Sequence, residues 1–164
     1  MATSKTNAMR ILDKAKISYQ SHIYDHSDGH IDGVAVAQKL GQPFDQVYKT
    51  LVTIGASKIY YVFVIPVACE LHLKHAAKAV NEKSIEMIKV ADINKVTGYI
   101  RGGCSPIGMK KNYQTVVDES CLQLQTMMIS AGKIGQQVEL SPKDLLQLVN
   151  GMTANIVINE KEAE

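Results

Sequence analysis

The stretch TGYIRGGCSPIG, residues 97–108, constrains this chain more than any other segment. It concentrates four of the eleven glycines, Gly98, Gly102, Gly103 and Gly108, and adds Pro106. Glycine allows left-handed backbone and close approach, so so many in one place describe a loop shaped to hold something. Between Asp92 and Asp118 there is no acidic residue, while Lys95, Arg101, Lys110 and Lys111 fall inside. The loop therefore sits in a locally positive segment, although the net charge is only +2. A solvated basic face and an anion or phosphate site are the two readings of that segment.

Around the loop, short periodic segments alternate. Residues 5–16 read as an amphipathic helix with Ala8, Ile11, Leu12 and Ala15 on one side. SYQSHIY reads as a strand, SDGHIDGV as a loop, and VAVAQKLG as a short helix stopped by Gly41. Residues 47–54 and 59–65 are β-rich runs joined by GASK, the pattern of a hairpin, and Pro66 ends the second. LKHAAKAV and ADINKVTG read as short helices; QTVVD, TMMIS, QVEL and ANIVI read as strands. SPKDLLQLVNG carries helix signals at both ends: Ser141 as N-cap, Pro142 in the first turn, Asp144 behind it and Gly151 past the end. Strands outnumber helices. The expected fold class is mixed α/β, a curled, barrel-like mixed sheet flanked by short helices, in one domain spanning 1–164 with its core at about 5–158 and a polar tail at 159–164.

Length and composition agree with that expectation. The 164 residues suffice for one real core, and 46% hydrophobic with 21% charged is ordinary for a globular domain. No apolar run reaches the roughly 18 residues of a membrane span, and the first residues lack a continuous apolar signal region. Cys69, Cys104 and Cys121 contain no CxxC pair and cannot all pair with one another, so reduced thiols and a cytoplasmic location are expected.

Four groups could carry chemistry. His22, His26 and His30 recur every four residues, but Gly29 and the polar residues around it argue against a helix that would stack them; His72 and His75 lack further ligands at zinc spacing except Glu70. Neither a metal nor a cofactor is expected. Cys104 lies beside basic residues that could lower its pKa; the plainer reading is a small residue fitted into a tight loop. SAGKIG, residues 130–135, lacks the GxxxxGK[ST] pattern and precedes a strand, so it is a hairpin turn rather than a P-loop, although the amide freed at Gly132 could line a pocket. Lys49 is the most informative single residue. In a strand it alternates with Val47 and Leu51, which sends its ammonium to an apolar side, where an unpaired charge costs several kcal/mol unless it reaches a cleft, a partner or solvent.

Taken in order and at their spacing, DQVYKTLV, LKHAAKAV, TGYIRGGCSPIGMKK, TVVDES, ISAGKIG and VELSPKDLLQLV resemble the YbaK/EbsC family of aminoacyl-tRNA deacylases, free-standing relatives of the editing domain of bacterial prolyl-tRNA synthetases. The resemblance runs from about residue 5 to 158. It rests on the lysine–threonine pair in the strand and the GGxSPxG loop; SAGKxG alone is weak. It implies hydrolysis of proline tRNA mischarged with a smaller amino acid, above all cysteine, with alanine as an alternative and a non-catalytic module binding a nucleotide or tRNA end as another. Lys49 matches the family's essential lysine and Thr50 follows it. Gly102, Gly103, Cys104, Ser105 and Pro106 match the loop that cradles the aminoacyl ester. Tyr24 falls at the position of a pocket tyrosine, and Ser130, Ala131 and Gly132 match the wall beside the amino acid. Arg101, Lys110 and Lys111 are positioned to meet tRNA phosphates. Aminoacylated tRNA is the implied partner, prolyl-tRNA synthetase a candidate partner, and neither DNA nor membrane is implied.

An aminoacyl ester is already activated, so orientation and oxyanion stabilisation matter more than a strong nucleophile. One backbone oxyanion donor is worth about 10²–10³ in rate. Neither the lysine–threonine pair, the glycine-rich loop nor SAGKIG holds a carboxylate or histidine to act as an obvious base. The resemblance accordingly implies a substrate-assisted route in which the cysteine thiol attacks its own ester.

Overall fold

The computed structural model describes residues 5–30 and 32–158. The polar tail expected at 159–164 lies outside the described residues. A first helix, α1 (Asn7–Lys14), is capped by Thr6, whose hydroxyl accepts from the Met9 amide, and buries Ala8, Met9 and Leu12. Strand β1 (Tyr19–Ile23) leads through a loop into α2 (Gly33–Leu40), which Gly41 ends in a left-handed conformation. The hairpin expected from the sequence forms between β2 (Tyr48–Gly55) and β3 (Tyr60–Pro66). Helix α3 (Leu73–Ala79), strand β4 (Ile85–Met87) and helix α4 (Ile93–Thr97) bring the chain to the glycine-rich loop. Beyond it come β5 (Gln114–Asp118), β6 (Met127–Ser130), β7 (Gln136–Leu140), α5 (Pro142–Val149) and β8 (Met152–Ala154).

The strands form two sheets. One has the order β1-β7-β6, all antiparallel; the other has the order β4-β2-β3-β5-β8 and is mixed, because β3–β5 and β5–β8 run parallel. A parallel bridge between Val47 and Met128, with the Met128 amide on the Gln46 carbonyl at 2.9 Å, joins them at one corner. The mixed α/β class expected from the sequence is present. The sheet does not close as a barrel: two sheets meet face to face and touch at that corner.

The main core fills the space between the sheets. Tyr48, Val62, Val64 and Val117 from one sheet meet Met127, Ile129, Val138 and Leu140 from the other, with Leu12 of α1 and Leu145 of α5 closing the sides. Truncating such a buried side chain to alanine costs about 2–5 kcal/mol. A second cluster, Phe63, Ile65 and Val116 against Ala76, Ala77 and Ile156, covers the outer face of the mixed sheet. A third, Ala37, Val47, Val67 and Met128, fastens α2 to the corner where the sheets join. That corner is where the cleft opens.

Two local expectations shift. Ser141 stands at the N-cap of α5, but its side chain makes no capping bond; Gly151 does fall past the end, one residue beyond Asn150, which takes the left-handed C-terminal position. The last strand is Met152–Ala154, earlier than ANIVI. The Ile156 amide donates instead to the buried Asp118 carboxylate at 3.2 Å, which draws the chain away from the parallel ladder.

Candidate active site

A cleft of about 810 Å³ opens at the corner of the sheets, a volume in the range of small-ligand sites. Its floor is the start of β2. Successive strand residues face opposite sides, so Lys49 shares a face with Leu51 while Thr50 shares one with Tyr48 and Val52. Both Lys49 and Thr50 reach the cleft because it lies at the strand's end, where the sheet no longer separates its two faces. The alternation expected to send the Lys49 ammonium to an apolar side is therefore relieved by the opening. Among the described residues no carboxylate comes within ion-pair distance of Lys49. Its charge is felt at the Cys69 thiol, where burial and the Asp118 carboxylate nevertheless prevail and push the thiol pKa up.

The glycine-rich loop forms the opposite wall through Arg101, Gly102 and Cys104. Gly102 has φ of 87°, which a residue with a Cβ adopts only under strain. Gly103 turns away from the cleft onto the loop that follows β6: a Cβ there would sit 3.0 Å from the Ile134 amide nitrogen and 3.2 Å from the Lys133 carbonyl carbon. Its own amide is committed to the Ile100 carbonyl at 2.9 Å. Gly102 and Cys104 line the cleft, and no hydrogen bond among the described residues takes up their amides. Cys104 is not an activated thiol. Burial pushes its pKa up to about 11, against a smaller opposing effect of a Thr97 hydrogen bond, so the basic neighbourhood does not lower it.

The expected site residues separate into three groups. Lys49, Thr50, Arg101, Gly102, Cys104 and Ser130 line the cleft together. Tyr24, Gly103, Ser105 and Ala131 are buried behind it; the Ser105 hydroxyl accepts from the Ile107 amide at 3.2 Å, and Tyr24 packs edge-on to His26. Gly132 also stands back from the cleft, its amide donating to the Ser130 hydroxyl at 3.1 Å. Pro106 and Lys111 line a smaller cavity on the far side of the glycine-rich loop, and the Lys110 ammonium donates to the Lys95 carbonyl at 3.3 Å. Arg101 and these two lysines thus face different directions.

Among the further residues that line the cleft, His30, Asp32 and Gln137 carry polar side chains that sequence reasoning did not select. Asp32 caps α2, its Oδ1 accepting from the Ala35 amide at 3.0 Å. Gln137 comes from β7, in the other sheet, and its Oε1 is buried with no hydrogen-bond partner, as is the Thr50 hydroxyl. Unpaired buried polar atoms are rare in folded proteins, and these two lie on different sides of the cleft lining. Only the alternation of QQVEL could have drawn attention to Gln137. With Lys49 and Arg101 against the capping Asp32, the cleft is net positive and suited to an anionic ligand end.

The model of the aminoacyl-tRNA editing domain matches residues 32–148, the span that carries every element around the cleft except β1 and its loop. The chain is 44% identical over 156 residues to the "Putative Cys-tRNA(Pro)/Cys-tRNA(Cys) deacylase EbsC" of Enterococcus faecalis (strain ATCC 700802 / V583), covering 95% of each protein. Two solved structures share the fold. The "hypothetical protein APE2540" has a TM-score of 0.85 at 19% identity, covering 93% of this chain and 100% of its own. A "putative trans-editing enzyme for prolyl tRNA synthetase" has a TM-score of 0.78 at 20% identity, covering 95% and 100%. A lysine–threonine pair and a glycine-rich loop facing each other across one cleft, with a family match spanning both, lead to a single assignment: this chain belongs to the aminoacyl-tRNA editing domain family.

Proposed function

We propose that this protein is a trans-editing deacylase that hydrolyses cysteine mischarged on proline tRNA. The observation that carries the reading is the convergence of Lys49, Thr50, Gly102 and Cys104 on one positively charged cleft. The 44% identical relative, named a deacylase of Cys-tRNA(Pro) and Cys-tRNA(Cys), supports the substrate class. Lys49 holds the phosphate or ribose of the tRNA's terminal adenosine, and Arg101 extends the anion-binding wall. The amides of Gly102 and Cys104 face the ester oxygen as it becomes an oxyanion. Ser130 lies against the amino-acid side chain.

With its pKa pushed up to about 11, the Cys104 thiol offers no thiolate nucleophile at neutral pH. For cysteine, the substrate's sulfur attacks its own ester carbon, the C–O bond to the ribose breaks, and the thiol proton passes to the departing ribose oxygen. The product is the cyclic thioester of cysteine, which water then opens. A second route, for amino acids without a thiol, is favoured by His30 on the cleft wall, which could activate water at the ester. The domain spans 1–164 with its core at about 5–158, acts in the cytoplasm, and takes the aminoacylated end of tRNA as its partner, with prolyl-tRNA synthetase presenting it.

A synthetase pocket made for proline rejects a slightly smaller amino acid by only about 1–3 kcal/mol, which is why a separate site is needed. The test is release of labelled amino acid from cysteine- and alanine-charged proline tRNA by native protein and Lys49→Ala. Rapid release of cysteine that is lost in the variant is the expected result. Preferential release of alanine moves the substrate, and His30→Ala should then abolish it. No release from either, with tRNA still bound, overturns the enzyme and leaves a binding module.

A further inference from the structure

The cleft has a rim that neither sheet supports. The last ladder bond of β1 is the Tyr24 amide on the Gly135 carbonyl at 2.9 Å, and α2 begins only at Gly33. Between them, Gly29, His30 and Asp32 line the cleft. The bonds within this loop are short-range: the Ser27 amide on Asp25 Oδ1 at 3.0 Å, the His30 amide on Asp28 Oδ1 at 2.9 Å, and the Gly29 amide on the His26 carbonyl at 3.1 Å. Each shapes a turn, and none ties the rim to the body of the protein.

Among the described residues, a side chain of α2 does. Lys39, near the end of α2, sends its ammonium back under the rim and donates to three oxygens, the Asp25 carbonyl at 2.6 Å, Asp28 Oδ1 at 2.7 Å and the His30 carbonyl at 3.0 Å. An ammonium has three protons, so the geometry uses all its donors. Lys39 is held in turn by its helix, which the buried Val36 and Ala37 anchor at the corner where the sheets join. The Asp28 carboxyl is kept below its ordinary range chiefly by its bond to Lys39. The three oxygens run from Asp25 to His30, so removing the ammonium loosens that stretch, while Asp32 keeps its capping bond to the Ala35 amide.

We infer that Lys39 is a positioning residue for the editing reaction, fixing the rim that carries His30 beside the bound aminoacyl end. This rests on the deacylase reading above. A rim held beside the cleft contributes binding and orientation, whereas the ester is activated from the Gly102 wall and the Lys49 floor. Loss of the clamp should therefore weaken KM while sparing the chemical step.

The experiment compares native protein, Lys39→Met and Lys39→Arg in deacylation of cysteine-charged proline tRNA, with amide exchange measured over residues 25–30. Methionine keeps the length and apolar stem and removes the donors. The expected result is a rise in KM of about tenfold with kcat within about twofold, faster exchange over the rim, an unchanged melting temperature, and recovery of most of the KM by arginine. Native-like KM in Lys39→Met, with the native protein active, overturns the inference and leaves the deacylase reading intact. A fall in kcat and melting temperature together, without recovery by arginine, overturns it too, because the lysine is then merely structural. A native protein that releases no amino acid removes the deacylase reading, and this inference with it.

Discussion

Gly103→Ala isolates how closely the two loops of the cleft wall are pressed together. Its Cβ would approach the Ile134 amide nitrogen to 3.0 Å, the Lys133 carbonyl carbon to 3.2 Å and the Lys133 Cα to 3.3 Å. All three are backbone atoms, so no side chain can swing aside, and one loop must retreat by a few tenths of an ångström. Overpacking of this kind costs about 1–3 kcal/mol, which lowers the melting temperature of a chain this size by about 2–12 °C. The same retreat moves the Gly102 and Cys104 amides relative to Lys49. Because a misplacement of about 1 Å costs about 10²-fold, a loss of about tenfold in kcat is expected. Gly102 provides the contrast, since its φ of 87° makes the penalty one of backbone strain, about 1–2 kcal/mol. Asparagine tolerates that region better than alanine, so Gly102→Asn should be milder than Gly102→Ala, while Gly103→Asn should be harsher than Gly103→Ala. Thermal melts and single-turnover deacylation read both effects. Gly103→Ala melting within about 1 °C of native and cleaving at the native rate would refute the reasoning, because the loops then do not press on each other at that point.

Glu139 accepts from the Thr126 hydroxyl at 2.5 Å and meets His22 Nε2 at 2.8 Å, and the Thr126 bond in particular holds its carboxyl below the ordinary value of 4.5. A lowered folded-state pKa stabilises the protein above the unfolded value, and that stability is lost as pH falls through the folded pKa. Glu139→Gln should therefore flatten the acid limb of melting temperature against pH below about pH 5; an unchanged limb would exclude Glu139 as a contributor. Tyr48 is buried, bonds the Ser120 hydroxyl at 2.7 Å, and has its pKa pushed up to about 12 mainly by burial. Tyr48→Phe should cost about 1–2 kcal/mol in denaturant unfolding by leaving Ser120 unpaired, with no loss of activity at Lys49 next door; loss of activity at full stability would give the hydroxyl a role in the site.

Much of the local structure was legible because its causes are local. Gly41 and Pro142 mark helix boundaries within a residue or two, and the β2–β3 hairpin follows from two β-rich runs and a turn between them. Strand β4 was not legible: three residues, Ile85–Met87, become a strand only by pairing with Thr53–Gly55. The end of the chain misled in the same way, since the Asp118 carboxylate, 38 positions upstream of Ile156, decides where the parallel ladder stops.

The site divides along the same line. The sequence by itself determined the chemical parts: a lysine–threonine pair in a strand, a glycine-rich loop in a stretch without acids, and a family pattern that joins them. These depend on residue type and short spacing, which the chain carries wherever it folds. Only the tertiary structure decided that Arg101 faces the cleft while Lys111 lines the cavity behind the loop, that the Cys104 thiol is half-buried and its pKa raised rather than lowered, and that His30, Asp32 and Gln137 join Lys49. Those outcomes depend on which loops pack over the corner of two sheets. Long-range burial sets them, and no short window of sequence contains it.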